Sequence, residues 1–176
     1  MANDVTTVAG IPIPSVSPAF LAGVAFHVLA GLACTVAGLM AMLSSKGPGR
    51  HASFGRIYYR CLAAVFASAS ALAVVRWTED YDLFVLGAAS FAAAHAGRTA
   101  LSWPSRNSLR MHAVGMGASY ILLLTAFYVD NGKSLPFWKQ FPQIAFWLLP
   151  SAIGAPILLY VMLLHPLTRT ARRVAS

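Results

Sequence analysis

Residues 19–43 read AFLAGVAFHVLAGLACTVAGLMAML, and residues 44–50 read SSKGPGR. The first stretch holds no Asp, Glu, Lys or Arg. As a helix rising 1.5 Å per residue it would measure roughly 37 Å, enough to cross a hydrocarbon core of roughly 30 Å with some tilt. Gly47-Pro48-Gly49 is a strong helix stop. Four more apolar segments follow, at about 54–75, 82–98, 112–128 and 143–164. The chain is therefore expected to be an all-α integral membrane protein with five transmembrane helices. Residues 1–17 form an extended tail, 18–164 the membrane domain, and 165–176 a basic tail.

The charges orient these spans. All five acidic residues (Asp4, Glu79, Asp80, Asp82, Asp130) lie in alternate connections, the N-terminal tail counting as the first. The other connections hold most of the bases: Lys46, Arg50, Arg56 and Arg60, then Arg98, Arg106 and Arg110, then Arg169, Arg172 and Arg173. Only Arg76, Lys133 and Lys139 lie on the acidic side. By the positive-inside rule the N-terminus is outside and the C-terminus inside.

Composition agrees with this class. Apolar residues make up 58% of the chain and charged residues 10%, far below the roughly 25% of a soluble domain. The net charge of +8 does not point to nucleic acid, because the bases are spread over span ends rather than gathered on one polar face. They suit anionic lipid headgroups at the inner surface. The first span is not expected to be a cleaved signal, since no Lys or Arg precedes it and Asp4 does. Cys34 and Cys61 fall inside spans, where a small buried thiol is ordinary.

Tyr58, Tyr59 and Trp77 sit where interfacial aromatics are expected. The third span is short and rich in Ala and Gly, which favours close helix contacts. The fifth contains Pro150, Gly154 and Pro156 and is expected to kink or locally unwind. A weak echo links two hairpins. His27 and His95 lie on descending helices, His51 and His112 open ascending ones, and Tyr59 and Tyr120 stand at the same distance after the latter pair. Two tandem hairpins plus a fifth helix would account for it.

Chemistry falls to the histidines, since no HExxH, CxxC, P-loop or dinucleotide motif occurs and no stretch assigns an enzymatic reaction. His27 shares a stripe with Gly23, Gly31, Cys34 and Gly38. That stripe reads either as room for a haem plane beside an imidazole or as a packing seam with a cross-helix hydrogen bond. His51, His95, His112 and His165 gather by depth at the inner boundary. Two converging imidazoles suit haem iron and three suit zinc or copper; the competing reading is helix capping and headgroup contact. On the fourth span, Ser119 and Thr125 are weak evidence for a solute path, because such hydroxyls usually bond back to a carbonyl.

Phe26-His27, His51 through Gly55-Arg56-Ile57-Tyr58, Met111-His112 through Ser119-Tyr120 and Thr125-Ala126-Phe127 to Asp130-Asn131-Gly132, and Trp147-Leu148-Leu149-Pro150 together carry a resemblance. They resemble an uncharacterised family of small bacterial predicted membrane proteins, over most of residues 20–160. The resemblance implies a multi-pass protein of the bacterial inner membrane and implies no activity. Its motifs contain His27, His51 and His112, but not His95 or His165.

The leading functional expectation is binding of haem b or a transition metal for membrane electron transfer or redox sensing. The expected ligands are two of His51, His95 and His112, with His27 as a further ligand or a cross-helix bond. The alternatives are a small-solute transporter and a non-catalytic assembly partner, as a homo-oligomer or within a larger membrane complex.

Overall fold

The structure, a computed structural model, describes residues 6–8, 11–13, 18–75, 77–105 and 107–164. The basic tail, His165, Arg76 and Arg106 lie outside the described residues. Two short strands, β1 (Thr6–Val8) and β2 (Ile11–Ile13), pair antiparallel with Thr6 opposite Ile13 and Val8 opposite Ile11. Five helices follow: α1 (Pro18–Leu43), α2 (Arg50–Val75), α3 (Trp77–Thr99), α4 (Ser108–Asn131) and α5 (Gln143–Leu164). Single 3-10 turns occupy Ala100–Ser102, Gly132–Ser134 and Trp138–Gln140.

Every expected span is thus a helix, but α2, α3 and α4 begin four or five residues before their apolar stretches. Arg50–Ser53, residues 77–81 and Ser108–Met111 supply polar first turns, which backbone hydrogen bonding accommodates without any apolar requirement. Four of the helices are long and apolar enough to cross a membrane: Phe20–Leu43, Arg50–Val74, Ser108–Ser134 and Gln143–Leu163. Helix α3 does not reach that standard, because Glu79, Asp80 and Asp82 occupy its first two turns and Arg98 its last. Four such helices in one short chain are the mark of a multi-pass membrane protein.

The chain forms two compact units, Met1–Phe84 and Val85–Ser176. In the first, α1 and α2 make an antiparallel hairpin. Cys34, Ala37, Gly38 and Ala41 of α1 are buried at spacings of three and four, against Tyr58, Leu62 and Val65 of α2. The large side chains of α1 (Val28, Leu29, Leu32, Val36, Leu39, Leu43) are exposed instead. Small residues inside and large apolar ones outside suit a lipid solvent, where close backbone approach supplies the packing energy. The start of α3 rests on the first unit through Phe84, whose ring lies 5.8 Å from Phe66 and 5.6 Å from Trp77.

Helix α1 ends where its last carbonyls find side-chain donors. Ser44 Oγ donates to Met40 O at 2.6 Å, and Lys46 Nζ donates to Met42 O at 2.6 Å and Ala41 O at 3.2 Å. Partial burial holds the Lys46 ammonium below its ordinary value. Gly47 and Gly49 then take φ of 140° and 129°, conformations in which a Cβ would be strained.

In the second unit, backbones touch where glycines meet. A Cβ added to Gly115 of α4 would stand 2.5 Å from Gly97 Cα of α3 and 2.7 Å from Ala93 O. Along the α4–α5 contact, a Cβ on Gly154 would meet Ile121 Cγ1 at 2.5 Å, and one on Gly117 would meet Leu158 Cδ1 at 2.8 Å. Helix α5 is unbroken from Gln143 to Leu164, with Pro150 and Pro156 inside it. The expected local unwinding is absent: a helix can lose the two donors that prolines lack while the surrounding turns keep their own bonds. The α4–α5 connection gathers aromatics, with Tyr128 5.0 Å from Trp138 and Trp138 5.7 Å from Phe141. Such a cluster suits a membrane–water boundary.

Candidate functional site

Each hairpin is clasped by a histidine. His51, in the first turn of α2, places Nδ1 2.8 Å from the carbonyl oxygen of Ala41, near the end of α1. His112, in the second turn of α4, places Nδ1 2.9 Å from the carbonyl oxygen of Gly97, near the end of α3. A carbonyl only accepts, so in both rings Nδ1 carries the hydrogen and donates it. In a neutral imidazole the lone pair then belongs to Nε2.

A second pair of bonds repeats the register. Cys34 Sγ donates to the Tyr58 carbonyl at 3.6 Å, and Ser90 Oγ donates to the Ser119 carbonyl at 2.8 Å. Cys34 lies seven residues before Ala41 and Tyr58 seven after His51; Ser90 lies seven before Gly97 and Ser119 seven after His112. All of Cys34, Tyr58, Ser90 and Ser119 are buried. Leu62 and Leu123, each eleven residues after its histidine, are buried as well. The two hairpins therefore share a clasp at one end, a small polar bridge two turns away, and a leucine one turn beyond.

The histidines do not form a single cluster within either unit. His27 bonds Ser68 Oγ at 2.9 Å, and the Ser68 hydroxyl lies 2.8 Å from the Ala64 carbonyl, to which it donates. That makes His27 a cross-helix hydrogen bond. It lies fourteen residues from Ala41 along α1, roughly 21 Å from the level of the His51 clasp. His95 is exposed on α3, its ring 6.3 Å from that of Phe91. Residues 95 and 97 project on opposite sides of a helix, so His95 and the His112 clasp do not share a face. Among the described residues no three His, Cys, Asp or Glu side chains are placed to hold one metal ion.

The glycines near the histidines differ. A Cβ on Gly31, one turn from His27, or on Gly55, one turn from His51, would have no neighbour within 4 Å. Gly115, close to His112, is spent on the contact with Gly97. Two hydroxyls of α4 are buried: Thr125 Oγ1 donates to Ile121 O at 2.9 Å and Ser119 Oγ lies 3.3 Å from Ser90 Oγ.

Sequence reasoning picked out the four histidines and missed the bridging pair. Cys34 appeared only as an ordinary buried thiol and a member of a stripe, and Ser90 not at all. Laying the two hairpins over one another from His51 and His112 would have exposed both. Compared with protein-family models, curated proteins and solved structures, the chain matches none.

Proposed function

We propose that this is a five-span protein of the bacterial inner membrane, N-terminus outside, that binds a b-type haem through histidine for membrane electron transfer or redox sensing. The observation that carries the reading is the clasp. In His51 and His112 the Nδ1–H is donated to a helix-end carbonyl, the arrangement that orients an imidazole and raises its basicity when Nε2 ligates a metal. The space at Gly55, one turn from His51, adds to it. Haem fits better than zinc or copper, because its macrocycle brings four of the ligands and asks the protein for one or two imidazoles. A closed zinc site needs three or four side chains together, and the described residues offer no such group. His51 and His112 are proposed as ligands, each within its own hairpin, and His27 and His95 are not.

An absorption spectrum with metal and haem analysis, on protein purified in mild detergent, tests this. The reading requires a Soret band and iron close to stoichiometric, both lowered in His112→Ala or His51→Ala. A colourless, iron-free preparation from cells supplied with haem precursor overturns it.

A second reading, a non-catalytic assembly partner, is favoured by one observation. The polar groups of both hairpin seams are spent on contacts between helices, as in a protein whose residues serve architecture alone. Capture of the same larger complex by wild type and by His51→Ala would support it.

A further inference from the structure

Helices α4 and α5 are in close contact at Gly154 and Gly117. Toward the start of α4, no glycine faces α5. A groove of about 460 Å³ opens there, lined by Arg110, Val114, Ala155, Leu158, Met162 and Leu163 among others. Its volume falls in the range of about 300–1,000 Å³ that accommodates an organic ligand. From Arg110 to Val114 it follows α4 for roughly 6 Å. Arg110 is half-buried at one end, in the first turn of α4, while the rest of the named lining is apolar.

We propose that this groove binds one anionic phospholipid, with the proximal part of an acyl chain between α4 and α5 and the phosphate on the Arg110 guanidinium. Charge complementarity selects the occupant. The groove reaches the first turn of α4, which carries Arg110, in a chain of net charge +8. A guanidinium at the rim of an apolar cleft between membrane helices matches a phosphate joined to hydrocarbon, and the positive end of the α4 dipole adds to the attraction. A peptide segment fits less well, because its backbone donors and acceptors would meet only apolar side chains beyond Arg110. The proposal is independent of haem binding.

Native mass spectrometry of the full chain released from mild detergent tests it, with palmitoyl-oleoyl phosphatidylglycerol and palmitoyl-oleoyl phosphatidylcholine as probes. Both lipids carry a phosphate, but the choline cation of phosphatidylcholine cancels its charge beside Arg110, so wild type is expected to retain phosphatidylglycerol about fivefold better, the scale of one basic residue meeting an anionic rather than a neutral lipid. Arg110→Gln should abolish that preference and Arg110→Lys should keep most of it. Val114→Trp fills the groove from an exposed position, leaves the charge in place, and should lower retention of phosphatidylglycerol. Equal retention of the two lipids by wild type overturns the proposal. So does unchanged phosphatidylglycerol retention in either Arg110→Gln or Val114→Trp.

Discussion

A glycine does different work at positions 55 and 115. At Gly115 an added Cβ would meet the backbone of α3, which cannot rotate away. Gly115→Ala is therefore expected to cost about 1–3 kcal/mol, as overpacking does. At Gly55 the Cβ meets nothing, and Gly55→Ala should be neutral or stabilise by up to about 1 kcal/mol through helix propensity. Thermal unfolding of the two variants in one detergent makes the comparison, and equal effects would refute this account of the α3–α4 contact. The bridging pair allows a second contrast. Cys34→Ser keeps a donor for Tyr58 and copies Ser90, so it should change stability little. Ser90→Ala removes the donor to Ser119 and should cost roughly 0.6 kcal/mol, the mean for a hydrogen bond between membrane helices. Greater loss in Cys34→Ser than in Ser90→Ala would contradict the shared register.

At the scale of elements, α3 decides the topology. Its uncharged stretch from Leu83 to Gly97 covers roughly 22 Å as a helix, shorter than the roughly 30 Å of hydrocarbon. If α3 crosses, the exposed residues Ser45 and Ser105 lie on one side of the membrane and Ser134 on the other. Single cysteines at these three positions, in a background lacking Cys34 and Cys61, should be labelled by an impermeant maleimide in that pattern. Labelling of the Ser45 site together with the Ser134 site, with the Ser105 site on the opposite side, would leave α3 outside the membrane and reduce the spans to four. Much at this scale was legible in the sequence, because apolar length and Gly-Pro-Gly stops act locally. The five helices and the turn after Leu43 follow from them. Helix starts were less legible, since residues such as Arg50 and Ser108 are helical without being apolar. The fate of Pro150 and Pro156 was also hidden, because it depends on how the adjoining turns hold.

For the whole molecule, the histidines show where sequence reading runs out. Depth along the chain put His51, His95 and His112 at one level, but depth carries no azimuth. The structure turns His51 and His112 onto the partner helix of each hairpin and leaves His95 exposed. The weak echo of His and Tyr spacing becomes a register of four hydrogen bonds, something that only atomic positions reveal. The same geometry separates the proposed ligands from the histidines not proposed to ligate. A histidine that ligates haem iron through Nε2, with Nδ1–H held by a carbonyl, gives an absorption band that depends on that ring and not on its neighbours. The most direct test is the reduced-minus-oxidised spectrum of membranes containing wild type, His51→Ala, His112→Ala or His95→Ala at matched expression. The account predicts a Soret and α-band difference in wild type, retained in His95→Ala and lost or shifted in at least one of His51→Ala and His112→Ala. A spectrum unchanged across all three variants, or no haem signal in wild type, would contradict it.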